Sequence, residues 1–271
     1  MVKVIGIGDN VVDKYLHLGL MFPGGNAVNV PVFMAKAGAE AAYLGHFGTD
    51  RAGVHIKSVL AQLGISLSHS LVKDGPNAYA SVTVVNGERV FLHEECSATI
   101  SHGISLSRED LDYISGFDVI HTSIYSDIED QLPALRETGV PISYDFSEIE
   151  CRDYFESIYP YVTYAFFSAA DMSRKAIEDF IRHVSRQGPR YVMATRGAAG
   201  ALLFFNGELY EQPVVETQVV DTMGAGDSFI AAFLKAVLEG KEVTEALRAG
   251  ALSAAQTCTY QGTFGYGIEI G

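Results

Sequence analysis

Apolar and polar positions along the chain change rhythm several times, and the rhythm predicts alternating strands and helices. Val2–Ile7 is an almost unbroken apolar run that stops at Gly8 and Asp9, as a strand buried on both faces would. Tyr15–Phe22 reads as a second short extended run. Beyond Pro23 a Gly-Gly turn opens a helix running to about Gly38, then come a strand over Ala41–Phe47 and a helix over Gly53–Leu63. Ala78–Val85 and Arg89–Glu94 are β-rich and flank Asn86-Gly87, a strong hairpin signal.

From Ser107 onward the alternation is regular. Ser107 and Asp110 make a capping box for a short helix. Strands over Asp118–Thr122, Pro141–Asp145, Val162–Phe167 and Tyr191–Thr195 are interleaved with helices over Glu129–Thr138 and Ser173–Arg186. That order implies right-handed crossovers and a mostly parallel sheet. Leu202–Phe205 and Leu209–Gln212 flank Asn206-Gly207, a second hairpin, and a final helix covers roughly Thr244–Cys258. No repeat, low-complexity tract or linker divides the 271 residues, which read as one α/β domain over 1–271. Tyr15–Phe22 and the 78–94 hairpin do not fit the core. They are expected to form either a small separate sheet over the strand ends or an edge of the main one.

One stretch organises the rest: Val219–Leu234, VVDTMGAGDSFIAAFL. Two β-branched residues and Asp221 are expected to end a strand. Gly224, Ala225 and Gly226 make a turn, and Phe229, Ile230, Phe233, Leu234, Val237 and Leu238 follow at helical spacing. Glycines let the backbone approach a ligand closely. The first amides of a helix lack intrahelical partners and carry partial positive charge, which suits a phosphate. Asp227 lies in that first turn. It is either a base that takes a proton from a nucleophile facing the same phosphate, or a helix-capping carboxylate.

A second group collects at predicted strand ends, where open α/β sheets bind ligands. Asp9, Asn10 and Asp13 follow the first strand, and Gly24, Gly25, Asn26 and Asn29 open the first helix. Short Asp and Asn side chains beside close-approach glycines meet the paired hydroxyls of a polyol; alternatively the asparagines only cap or pack the helix. Thr195-Arg196-Gly197-Ala198-Ala199-Gly200 follows a strand, though a lone G-x-x-G is more often just a turn. Ala251, Ala254 and Ala255 would admit a flat ring or equally a close helix contact.

Composition narrows the partners. Lys and Arg number 19 against 33 Asp and Glu, a formal charge of −14, which argues against nucleic acid and anionic membranes. Cys96, Cys151 and Cys258 form no C-x-x-C pair and suit a reducing compartment. No targeting segment or membrane-length apolar run is visible, so a cytoplasmic protein is expected. His93, Glu94 and Glu95 form a polar group at the end of the hairpin, a solvated loop or a face for a cationic substituent.

DTMGAGDSF (221–229) with its apolar helix resembles the signature of the ribokinase-like (PfkB) carbohydrate kinases, and the resemblance extends over nearly the whole chain. It implies a ribokinase-like fold: a mostly parallel central sheet flanked by helices, with a small β lid from segments at about 14–22 and 77–95. It implies ATP-dependent phosphorylation of a sugar hydroxymethyl, with ATP and Mg²⁺. Asp227 would be the base, and the amides of Gly224, Ala225 and Gly226 the anion hole. Gly24, Gly25, Asn26 and Asn29 match the sugar-binding signature, and Asp13 the family's sugar-binding Asp. Asp9 and Asn10 match less constant neighbours. Thr195, Arg196, Gly197 and Gly200 match a turn over the ATP phosphates and ribose. Where the family has N-x-x-E, this chain has Ser168 and Asp171, shorter analogues on the ATP side for water-mediated Mg²⁺. Asp221 matches a position where some relatives hold a monovalent cation such as K⁺.

GDNVVDKY (8–15), FPGGNAVNV (22–30), VIHTSIYSD (119–127) and YDFSE (144–148) are most similar to the fructoselysine 6-kinase subfamily, which phosphorylates fructosamines. Alternative acceptors are fructose, ribose or a nucleoside, and a different class of reading is a non-catalytic sugar-binding module. The resemblance also implies a homodimer formed through the lid.

Overall fold

The computed structural model describes residues 1–85, 88–95, 103–149 and 155–271. The Asn86-Gly87 turn, Cys96 and Cys151 lie outside the described residues, as do the side chains of His93, Glu94 and Glu95. The first half contains β1 (Lys3–Gly8), β2 (Val11–Tyr15), β3 (Leu20–Gly24), α1 (Asn26–Lys36), β4 (Glu40–Phe47), α2 (Arg51–Gln62), β5 (Leu71–Val72), β6 (Tyr79–Val85) and β7 (Glu88–Glu95). Next come α3 (Arg108–Ile114), β8 (Val119–Ser123), α4 (Leu132–Glu137), β9 (Ile142–Glu148), β10 (Tyr164–Ser168) and α5 (Arg174–Ser185). The chain ends with β11 (Tyr191–Thr195), β12 (Ala201–Phe205), β13 (Glu208–Gln212), α6 (Ala225–Leu238), α7 (Val243–Thr257) and β14 (Ile268–Glu269).

The larger sheet has nine strands in the order β13-β12-β11-β10-β9-β8-β1-β4-β5. Every pair from β11 across to β5 is parallel, and the β11–β12 and β12–β13 pairs are antiparallel. Period-2 alternation assigns the two faces. Val2 and Val4 join a core with α1, α2, α6 and α7, whereas Ile5 and Ile7 join one with α3, α4 and α5. Each such fully buried aliphatic side chain contributes roughly 1.5–3 kcal/mol.

Helix α1 sits directly on β1. A Cβ at Gly6 would lie 1.9 Å from the Ala27 carbonyl oxygen and 2.7 Å from Pro31 Cγ. Pro31 has no N–H for the Ala27 carbonyl, so that oxygen is left over the sheet at the place where the glycine makes room. The contact fixes the Gly-Gly-Asn turn above the carboxyl end of β1.

The second sheet has five strands, β14-β3-β2-β6-β7. Strand β2 leaves β1 after only Asp9 and Asn10, so this sheet begins at the carboxyl ends of the main one. The extended run expected over Tyr15–Phe22 is broken by a hairpin turn over 16–19, with Tyr15 and Leu20–Phe22 in the flanking strands. β2 and β3 pair antiparallel from Val11↔Gly24 to Tyr15↔Leu20, and Gly19 takes φ 65° in between. A strand ending at Asp221 is also absent. Val219 and Val220 are exposed, and the amides of Val220 and Asp221 both donate to the Cys258 carbonyl at the end of α7. That carbonyl supplies the partner a neighbouring strand would have offered. Among the described residues, no helix is long and apolar enough to cross a membrane.

Candidate active site

Two helix N-termini face each other over the ends of β1 and β9. The first belongs to α1, entered through Gly25 at φ 107°, where a Cβ would collide with Asn10 Cα and Asp9 Oδ2, both at 2.8 Å. Asn26 and Asn29 are three residues apart on α1 and therefore share a face. Neither caps the helix. Asn26 Nδ2 donates to Asp145 Oδ2 at 2.7 Å, and Asn29 Nδ2 donates to Asp227 Oδ2 at 2.8 Å. Asn29 is buried, and its Oδ1 has no partner among the described residues.

The second N-terminus is that of α6. Gly224 precedes it at φ 73°, a left-handed conformation, and a Cβ there would lie 2.2 Å from Thr263 Cγ2. The Ala225 amide is turned back to Thr222 O, and no side chain caps the helix. Gly226 is exposed, with open space where its side chain would be. Asp227 is thus not a cap: its carboxyl meets Asn29 across the gap between the helices. The result is an uncapped, positive helix end beside one half-buried acid, an arrangement suited to an anion and a proton acceptor together.

The electrostatics concentrate on that acid. Burial pushes the Asp227 carboxyl up to about 8, and the charges of Asp145, Asp9 and Asp13 add to the rise while the Asn29 hydrogen bond opposes it. Asp145 rises to about 6, chiefly through burial and further through Asp9, against hydrogen bonds from Ser147 N and Asn26. The two titrate as neighbours in one acidic cleft. Asp145, in the carboxyl-terminal half of β9, joins this cleft; it appears in the sequence only within the YDFSE stretch, and a lone Asp in a strand carries no spacing signal.

Other expected residues divide into those facing the cleft and those framing it. Asp13 is buried on β2, and a Cβ at Gly24 would lie 2.7 Å from its Oδ2, so that glycine leaves the carboxyl space. Asp9 is a frame. Its Oδ1 accepts from Ser126 Oγ at 2.9 Å, Ser123 Oγ at 3.0 Å and Ala27 N at 3.3 Å, binding the ends of β1, β8 and α1 together. Asn10 Nδ2 donates to Tyr43 Oη at 2.8 Å and to the His46 carbonyl at 2.7 Å, fixing β1 to β4.

Ser168 and Thr195 end adjacent parallel strands in register. Ser168 and Asp171 are both exposed, and Thr195 Oγ1 donates to the Phe167 carbonyl. The turn after β11 depends on its glycines: Gly197 and Gly200 have φ of 54° and 83°. Arg196 is engaged within this turn, its Nη2 donating to Ala199 O at 2.6 Å and Glu211 Oε1 at 2.8 Å. Ala251 is buried, and nearby a Cβ at Gly250 would lie 2.7 Å from the Phe229 ring, so this stretch of α7 packs closely on α6. Among the described residues no cluster of three or more His, Cys, Asp or Glu forms a direct metal cage. Asp171 therefore fits a hydrated Mg²⁺ better than a stripped one.

The family model described as pfkB family carbohydrate kinase matches residues 8–266. The fructosamine kinase FrlD of Bacillus subtilis (strain 168) is 41% identical over 98% of this chain and 94% of its own length. The fructoselysine 6-kinase of Escherichia coli (strain K12) is 32% identical over 95% of this chain and 98% of its own. In structure, an Arabidopsis thaliana ribokinase complexed with ribose and ATP matches with a TM-score of 0.81 over 96% of this chain and 93% of that one; at 20% identity this shows the shared fold. A family match that begins at the end of β1 and runs past Thr263 takes in both helix N-termini, and this chain accordingly belongs to the pfkB carbohydrate kinases, phosphotransferases with an alcohol as acceptor.

Proposed function

We propose that this chain transfers the γ-phosphoryl group of ATP to the 6-hydroxyl of a fructosamine such as fructoselysine. The observation that carries the transfer is the Asn29–Asp227 hydrogen bond, because it joins the helix suited to hydroxyl recognition to the helix suited to a phosphate. The acceptor is supported by two relatives, 41% and 32% identical over nearly the whole chain, whose names specify fructosamine and fructoselysine.

Each residue then has a task. The uncapped amides at the start of α6 would bind the transferring phosphoryl oxygens, with Ser168, Thr195 and the Gly197–Gly200 turn along the remaining nucleotide. Bound ATP would supply the phosphoryl group, and Mg²⁺, which Asp171 would hold through water, would supply charge compensation. Asp13, Asn26 and the unpartnered Oδ1 of Asn29 would meet sugar hydroxyls. Asp227 accepts the proton of the hydroxyl as its oxygen attacks in line. A base poised near neutrality is suited to that role, and the raised Asp227 carboxyl lies there. Arg196 is committed to Glu211 and serves to hold its turn. The five-stranded sheet acts as the lid that excludes water, the competing acceptor.

The test is ADP release with fructoselysine, other fructosamines, fructose, ribose and nucleosides as acceptors. Turnover should be highest with a fructosamine. Preference for fructose, ribose or a nucleoside moves the acceptor assignment within the family, and a silent panel would favour a non-catalytic sugar-binding module.

A further inference from the structure

Tyr15 closes β2 in the five-stranded sheet, and its hydroxyl donates to Asp221 Oδ2 at 2.6 Å. Asp221 lies three residues ahead of Gly224, the residue that sets the direction of α6. The two residues are 206 positions apart in sequence and both are buried, 3% and 6% exposed. The same Oδ2 accepts from Gly262 N at 3.0 Å, and Oδ1 accepts from Met223 N at 3.0 Å. The Asp221 amide is itself held by the Cys258 carbonyl.

The surroundings leave this contact little freedom. Tyr15 packs edge-on to Phe22 with ring centroids 5.0 Å apart. Gly262 takes φ 70°, and a Cβ there would lie 2.3 Å from the Phe22 ring. One packed unit therefore joins the small sheet to the loop that enters the anion-binding turn.

A buried carboxylate needs either an opposite charge or enough donors to replace water. Resemblance to the family raises the first option, a monovalent cation at Asp221. The observed geometry is the second. A carboxylate has about four lone-pair positions, and three of them here receive a proton from Tyr15 or from a backbone amide. Those donors compensate the carboxylate in the way a cation otherwise would, so Asp221 is satisfied here by hydrogen bonds and needs no K⁺ to neutralise it.

We propose that Tyr15 is a positioning residue for the anion-binding turn, its hydroxyl standing where a monovalent cation would otherwise neutralise Asp221. The proposal rests on the kinase reading given above. It makes the small sheet and the phosphate-binding turn depend on one hydrogen bond, so that a shift of β2 is felt at Gly224.

The experiment compares the wild-type chain and Tyr15→Phe in KCl, NaCl and choline chloride at equal ionic strength. Wild-type turnover should agree within about twofold among the three salts, with one melting temperature. Tyr15→Phe should lower kcat about tenfold while leaving KM for sugar and for ATP within about threefold, the split expected when alignment of the transition state is lost and binding is not. A stimulation or a rise in melting temperature specific to KCl in the wild type would overturn the proposal, as would a Tyr15→Phe variant with wild-type kcat. If Tyr15→Phe does not fold, the wild-type salt comparison still decides the matter by melting temperature. Absence of turnover with any acceptor in any salt would remove the kinase reading instead, and the same melting comparison would still judge the cation claim.

Discussion

Asn29 Nδ2 lies 2.8 Å from Asp227 Oδ2, so a side chain from the first glycine motif holds the acid of the second. One oxygen of Asp227 is thereby orientated, and the other remains for a proton. Because Asn29 is buried on α1, and α1 is seated on Gly6 of β1, the position of the acid is set from the middle of the main sheet.

Replacing that acid separates binding from chemistry. Asp227→Asn keeps the shape and can still meet Asn29 through its amide oxygen, but it cannot take a proton. Turnover should fall by at least ~100-fold while the sugar dissociation constant changes little. Steady-state kinetics with titration calorimetry reads both quantities, and near-wild-type kcat would rule out Asp227 as the base.

The raised carboxyl gives stability a pH dependence whose sign follows from linkage. Asp227 moves from 3.8 to about 8 on folding, so the folded chain holds this proton more tightly than the unfolded one. Its contribution is full below the unfolded value and is lost as pH climbs through about 8. Melting temperature should therefore decline as pH rises from about 4 to about 8 and level off above that, and Asp227→Asn should flatten the decline. A variant that is more stable than wild type at pH 9 but matches it near pH 4 fits; parallel curves do not.

Asp145 sets part of the same titration. Its charge raises the Asp227 carboxyl, so Asp145→Asn should move the acidic limb of kcat/KM to lower pH. Asn29→Ala should move it the other way, because it removes the hydrogen bond that opposes the rise. Two pH–rate profiles check the pair of opposite shifts, and shifts in one direction would show that the limb belongs to another group.

How much of this was legible in the sequence depends on how local each feature is. The parallel core was, because Val2–Ile7, Val162–Phe167 and Tyr191–Thr195 carry their burial in nearly unbroken apolar runs. The two glycine motifs were also, since a turn and a helix start announce themselves in adjacent residues. The turn inside Tyr15–Phe22 is not legible because His17-Leu18-Gly19 has no stronger turn signal than its single glycine, and Val219-Val220 resembles a strand because its residues are β-branched, even though the Cys258 carbonyl takes the amides of Val220 and Asp221. The pairings of Asn26 with Asp145 and of Tyr15 with Asp221 span 119 and 206 positions, and no local pattern encodes them.

The two glycines of the α6 turn separate structure from function most sharply. Gly224 is needed by the backbone: at φ 73° a side chain costs about 1–2 kcal/mol, and the added methyl would also meet Thr263 Cγ2 at 2.2 Å. Gly224→Ala should therefore lower stability in urea by more than that backbone cost alone, and adding Thr263→Ser should recover only part of the steric share, because Cβ at 2.9 Å and Cα at 3.0 Å of that residue remain. Gly226 has the opposite character. It is helical, its φ is ordinary, and a methyl there meets open space. Gly226→Ala should then stabilise the chain by about 0.5–1 kcal/mol, yet it places a carbon where a phosphoryl oxygen must approach the amides, so kcat/KM for ATP should drop at least ~10-fold. A variant that melts higher and phosphorylates worse is the expected result in a thermal scan paired with ATP titration. A Gly226→Ala enzyme that gains stability and keeps its ATP kinetics would mean that the phosphoryl group is bound elsewhere.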